Sequence, residues 1–97
     1  MNLYAIRRRH LAGTREELQG TAAKSAQVGD EMSDDVRWIR TYVVQEDSGD
    51  LGSLCLYEAT SAEKVREQAA RVGMPADEVL PVAETVIVRP DPDGDHR

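Results

Sequence analysis

The sequence predicts an α+β fold: a four-stranded antiparallel sheet with two helices on one face. Three observations lead there. β-prone runs and helical stripes follow one another in the order strand, helix, strand, strand, helix, strand. Each helical stretch opens on a capping-box spacing, Thr14 to Glu17 and Thr60 to Glu63, in which a hydroxyl takes an orphan amide and the acid reaches back to the cap. The two middle strands carry large apolar groups on both sides, which asks for cover on both faces of the sheet.

The first strand is NLYAIRRR, residues 2–9, apolar at first and then cationic, and Ala12-Gly13 break it. The helix that follows places Leu18, Ala22, Ser25, Gly29 and Met32 on one stripe of mostly small side chains, so it can lie close to a sheet. It ends before Ser33-Asp34-Asp35. The second strand is VRWIRTYVV, 36–44, and the third is LGSLCLYEA, 51–59, joined by a polar hairpin loop through Gly49. The second helix turns Val65, Ala69 and Val72 inward with Gln68 at the stripe's edge, and Gly73 followed by Met74-Pro75 stops it. The run VAETVIV, 82–88, reads as the fourth strand, closed by Pro90. Residues 1–90 then form a single ferredoxin-like βαββαβ domain, and 91–97 are expected to be a disordered acidic tail.

Two helices on one face leave the other bare. Strict alternation puts Val36, Trp38, Arg40, Tyr42 and Val44 on one side of the second strand, and Leu54 and Leu56 on one side of the third. Fully burying a large apolar side chain is worth roughly 1.5–3 kcal/mol, so a wet face forfeits an amount comparable with the stability of a small domain. A second copy packed sheet to sheet resolves this, giving a homodimer of the α/β-barrel kind with a pocket between the sheets. The alternative is a monomer that tolerates an exposed aromatic patch.

Composition narrows the function classes. The chain has 97 residues, with 12 Lys and Arg against 18 Asp and Glu, a net charge of −6. That balance repels nucleic acid and anionic membranes. No apolar run approaches the roughly 18 residues of a spanning helix, and the N-terminus lacks the order of a signal peptide. A single cysteine, Cys55, agrees with a reducing compartment, so the expected location is cytoplasmic.

The residues that could carry chemistry are few. Trp38 and Tyr42 lie on one side of their strand and Cys55 and Tyr57 on one side of theirs; whether the pairs share a face depends on hairpin register. Sharing makes an aromatic ligand pocket; not sharing makes ordinary packing. Among the cations of RRRH (7–10), Arg37 and Arg40, most are expected to face water or pair with acids, and Arg40, on the Trp38 side, is the candidate to point into a cavity. The candidate ligand pocket is therefore Trp38, Arg40, Tyr42, Tyr57 and Gln68. No pair among Cys55, His10 and His96 has metal-motif spacing. No phosphate loop or nucleophile elbow is present.

Trp38, Thr41-Tyr42-Val43, Cys55-Leu56-Tyr57-Glu58-Ala59, Val65-Arg66-Glu67, Ala69 and Gly73-Met74-Pro75-Ala76-Asp77, in this order and spacing, resemble the nickel-responsive family of small bacterial proteins. The resemblance spans about residues 3–88 and implies a ferredoxin-like dimer that binds a metal ion, nickel or another divalent transition metal. It carries a ligand role over to Cys55, with Tyr57 and Trp38 as matching pocket positions. Two positions depart from the family pattern: Gln68 stands where many members have a histidine, and Arg7 where many have an acid. The functional expectation is a non-enzymatic homodimer holding a metal ion or small ligand in its pocket. The alternative is a cofactor-independent enzyme of the dimeric-barrel type, monooxygenase- or isomerase-like, with Tyr42, Tyr57 or Arg40 as its polar participant.

Overall fold

The structure is a computed structural model and describes residues 1–92. Its elements are β1 (Asn2–Ala12), α1 (Arg15–Glu31), β2 (Val36–Gln45), β3 (Leu51–Ala59), α2 (Ala62–Val72) and β4 (Glu78–Pro81). All pairings are antiparallel in the sheet order β2-β3-β1-β4. The expected ferredoxin-like arrangement is therefore present. No helix among the described residues is long and apolar enough to cross a membrane.

Local signals set the helix ends. Thr14 Oγ1 accepts from the Glu17 amide at 3.2 Å, while the Glu17 carboxylate takes the Gly13 amide at 2.9 Å. The second cap falls one residue later than the sequence suggests. Ser61, not Thr60, accepts the Lys64 amide, because the Thr60 hydroxyl is drawn to Asp35 at 3.1 Å and ties the end of β3 to the turn before β2. Gly73 closes α2 in the left-handed conformation, φ 83°, with its amide on the Ala69 carbonyl.

Tyr4 and Ile6 of β1, Val36 of β2, Cys55, Tyr57 and Ala59 of β3 and Val79 of β4 form the buried side of the sheet. Val28 and Met32 of α1 and Val65 and Val72 of α2 pack on it. The two helices meet over Tyr57, whose hydroxyl is 3.0 Å from Ser25 Oγ on α1; Gln68 of α2 donates to that same Ser25 oxygen at 2.9 Å. The opposite face carries Leu54 and Leu80, which are exposed.

Two expectations about the strands fail for a shared reason. β4 is the four residues 78–81, not 82–88. Val79 is its one buried side chain, and burying it opposite Ile6 fixes the register at Tyr4 facing Pro81. In that register Val82 still reaches the Leu3 carbonyl at 2.9 Å, but the following residues run past the start of β1 and find no strand to pair with. Val86, Ile87 and Val88 are consequently exposed. Pro81 is tolerated because β4 is an edge strand, where a missing amide removes no ladder bond on the outer side.

The second failure is parity in β2. Trp38 faces Tyr57, but the next registered pair is Arg40 with Leu56, so Ile39 is the extra residue of a β-bulge. Beyond it the alternation is inverted: Thr41 and Val43 share the helix side with Trp38, while Arg40, Tyr42 and Val44 are on the open side. A one-residue shift moves every later side chain to the other face. β1 is also longer than expected, and a register shift between Arg8 and Ala12 carries it past His10, which adopts φ 53°. Residues 93–97 of the expected tail lie outside the described residues; Asp91, also assigned to that tail, reaches β2.

Candidate functional site: a cavity beneath the first helix

Where α1 rides over the edge of the sheet, a cavity of about 190 Å³ opens between helix and strands. Leu18 and Ala22 of α1 form its roof, and Trp38, Val43, Cys55 and Tyr57 its floor. The stripe of small residues on α1 leaves this space, since Ala22 and Ser25 cannot fill the distance that longer side chains would. Trp38 and Tyr57 stack as neighbours across β2 and β3, ring centroids 6.0 Å apart and planes within 3°. Trp38 is the outer member, 38% exposed, and its indole N–H is satisfied by Thr41 Oγ1 at 2.7 Å.

Of the residues expected in a pocket, the structure brings Trp38, Tyr57 and Cys55 together here. Gln68 stands just behind, fully buried rather than at the edge of its stripe, donating to Ser25. Arg40 and Tyr42 are not part of it. The bulge at Ile39 sends them to the open face, where Arg40 Nη1 and the Tyr42 hydroxyl both hold Asp91, at 2.8 and 2.7 Å. Tyr42 and Asp91 raise the already high Arg40 value further. The aromatic site thus lies on the helix side of the sheet, not on the side left for a second copy.

The arginine that does line the cavity is Arg8. It is 1% exposed, Nη1 donates to the Pro75 carbonyl at 2.6 Å, and Nη2 is buried with no hydrogen-bond partner among the described residues. No carboxylate among them forms an ion pair with it. Sequence reading passed over Arg8 as one cation in a run of three. The signal was its parity: Tyr4, Ile6 and Arg8 alternate onto one face, and the first two are core residues. Gly52 helps fix the position, since a Cβ there would stand 2.7 Å from the Arg8 carbonyl oxygen.

Arg7, on the other side of β1, is fully employed. Its Nη2 bonds Glu46 at 2.6 Å, and Glu46 also accepts the His10 amide at 3.0 Å. Arg7 holds the Glu46 carboxyl below its usual range. Asp50 is likewise lowered, first by Ser48 and then by His10, whose ring nitrogen is 2.8 Å away. This cluster is internally satisfied and locks the β2–β3 loop to β1.

A family model described as nickel responsive protein, SCO4226-like, matches residues 4–82. The chain belongs to that family. Among solved structures, the crystal structure of SCO4226 from Streptomyces coelicolor A3(2) matches with a TM-score of 0.69 and 25% identity, over 87% of this chain and 99% of that one. No curated protein matches. The family's description links it to nickel, and the donor set of this chain can be tested against that ion. Cys55 is buried, with Thr41 Oγ1 at 3.3 Å and Ser53 Oγ at 3.4 Å from its sulfur. It shares its cavity with the unpaired Arg8 cation, and the described residues contain no group of three or more His, Cys, Asp or Glu side chains that could hold a metal. A divalent ion bound at Cys55 would lack imidazole or carboxylate partners and would face a like charge. These residues do not fit a nickel centre inside one chain.

Burial raises the Tyr57 phenol above its ordinary value, partly countered by its bond to Ser25. That direction is opposite to what a general base at neutral pH needs. Its hydroxyl, bonded to Ser25, acts here as a structural link between β3 and α1.

Proposed function

We propose that this protein is a non-enzymatic, cytoplasmic binding protein whose site is the cavity between α1 and the sheet, and that it takes a small organic molecule there rather than a metal ion. The observation that carries this reading is the cavity wall: an almost wholly apolar surface built from side chains such as Leu18, Ala22, Trp38, Val43 and Tyr57, with Cys55 and Met74 as its sulfur groups. Binding sites for small molecules have this character, mostly apolar with few polar groups that orient the ligand. Ligand-detected NMR against a mixed set of small anionic, neutral and cationic fragments tests it, comparing wild type with Ala22→Phe, which fills the space under α1. Hits that vanish in the filled variant are expected; a set with no hit sensitive to that substitution would overturn the reading.

Family membership favours a second reading, nickel binding through Cys55. Calorimetry with nickel on wild type and Cys55→Ala decides it, and Cys55-dependent binding tighter than about 100 µM, some 5–6 kcal/mol, would put it first. The expected result is none.

The working unit is proposed to be a homodimer formed through the open face. Leu54 and Leu80 are exposed there, and Val86, Ile87 and Val88, at 77–79% exposure, extend from β4 beyond the last residue of β1 they could pair with. A β-prone segment without a partner strand in its own chain is a ready template for pairing with a second copy. Sedimentation at micromolar concentration should give twice the chain mass, and Val86→Asp with Val88→Asp should give the monomer. A wild-type monomer at that concentration would remove this part of the proposal and leave the cavity reading intact.

A further inference from the structure

The polar side chains deep in the wall of the cavity under α1 are turned to protein partners or buried out of a ligand's reach. Arg8 gives Nη1 to the Pro75 carbonyl, and its Nη2 is buried. Ser25 Oγ lies 3.0 Å from the Tyr57 hydroxyl and accepts from Gln68 at 2.9 Å. Thr41 Oγ1 takes the Trp38 indole N–H at 2.7 Å and stands 3.3 Å from the Cys55 sulfur, which Ser53 Oγ approaches at 3.4 Å. Gln19 and Thr21 of α1 are exposed and half-buried, within reach of water. What faces the space is carbon and sulfur: Leu18, Ala22, Cys55, Met74 and the rings of Trp38 and Tyr57. We infer that the ligand of this cavity is an uncharged, apolar molecule about the size of a substituted benzene, held by contact alone with no hydrogen bond to the protein. The inference rests on the cavity reading above and names the ligand's class.

Four features select this chemistry. Desolvation comes first. A hydroxyl, amide or carboxylate moved from water into this space gives up its hydrogen bonds and meets no free donor or acceptor, a penalty that an apolar group of the same shape avoids. Size comes second. An apolar cavity of about 150 Å³ is known to admit benzene, so about 190 Å³ has room for one ring with a short alkyl substituent, and not for a nucleotide or a peptide. The wall itself is third, since two aromatic side chains and the sulfurs of Cys55 and Met74 make favourable contacts with a ring beyond the area they bury. The fourth is apolar surface that the fold leaves in water at the cavity. Trp38 is 38% and Val43 51% exposed, both on the helix side of the sheet, so a second copy on the open face leaves them uncovered. A ligand seated against them takes that surface out of water, and burial of apolar area is the driving force such a site can offer.

Trp38 is the single tryptophan of the chain and lines the cavity, so its fluorescence reports occupancy directly. The full-length protein is titrated with toluene, with phenol as the isostere that carries a hydroxyl, and with benzoate as the charged analogue. Toluene is expected to bind roughly 10–100-fold more tightly than phenol, the span of one buried hydroxyl left unsatisfied, and benzoate to give no measurable binding. Phenol or benzoate binding as tightly as toluene overturns the apolar assignment while leaving a small-molecule cavity. Loss of toluene binding in Ala22→Phe supports the cavity as its site, and survival of that binding in the folded variant refutes the cavity reading itself. Should Ala22→Phe fail to fold, intermolecular NOEs in wild type from bound toluene to the methyl groups of Leu18 and Met74 locate the ligand, and their absence from a toluene-saturated sample overturns the assignment. No binding of toluene to wild type overturns the present inference, and the fragment comparison above then decides the cavity reading by itself.

Discussion

Replacing Arg8 by methionine should make the protein more stable. Arg8 is almost wholly buried and has one hydrogen bond, to Pro75. Desolvating a charged side chain costs several kcal/mol even after relaxation, and a hydrogen bond to a charged group returns about 1.5–3 kcal/mol. Methionine fills a similar volume with an adaptable apolar chain, and Pro75, itself exposed, can offer its carbonyl to water. The balance favours Arg8→Met by about 1–3 kcal/mol. In a domain of this size each kcal/mol moves the midpoint by about 4–8 °C, so a rise of roughly 4–24 °C is expected. Scanning calorimetry and urea unfolding at one fixed protein concentration measure it, since association shifts the midpoint by mass action. A lower midpoint with an unchanged urea slope would refute the reasoning, because it would mean that the charge is compensated in the native state.

Further outcomes follow from the same structure. Deleting Ile39 should be tolerated, since it removes the bulge and leaves Trp38, Thr41 and Val43 on the helix side; deleting Thr41 also removes the bulge but sets Arg40 opposite Cys55 on the helix side, and should lower the thermal midpoint followed by Trp38 fluorescence and circular dichroism. Tyr57 should ionise late in a spectrophotometric titration, and Tyr57→Phe should abolish that late phase. The sign for stability is fixed by the raised value: the contribution of Tyr57 is fully present below the unfolded phenol's value of about 10 and is lost as pH rises beyond it. Glu46 works in the other sense. Its lowered carboxyl contributes stability above the ordinary value of about 4.3, lost as pH falls through the folded value, so the advantage of wild type over Glu46→Gln should shrink on acidification in urea titrations at stepped pH. Val65→Ala, at a position with no exposure, should cost about 2 kcal/mol, read as a fall in the urea midpoint with the slope unchanged.

What could be read directly from the residues was local. Thr14 with Glu17, the small stripe from Leu18 to Met32, and Gly73 before Met74-Pro75 each act within a turn or two of chain, where neighbouring residues alone decide the conformation. Their order was enough for the βαββαβ arrangement, and with it Trp38 could be set on the second strand and Tyr57 and Cys55 on the third. The site needed register, and register is a property of pairs of strands. One extra residue at Ile39 reversed Arg40 and Tyr42 to the far face, and the burial of Val79 against Ile6 drew β4 forward and left Val86 to Val88 unpaired. Which arginine enters the cavity was likewise decided by pairing. Arg8, in line with Tyr4 and Ile6 on β1, lies beneath α1, whereas Arg40 is turned to the open face and Asp91. Short-range sterics and hydrogen bonding fix the elements because they involve adjacent residues. The face a side chain occupies depends on contacts between residues distant in sequence, and a single bulge changes it without leaving a mark in the composition or periodicity of the strand.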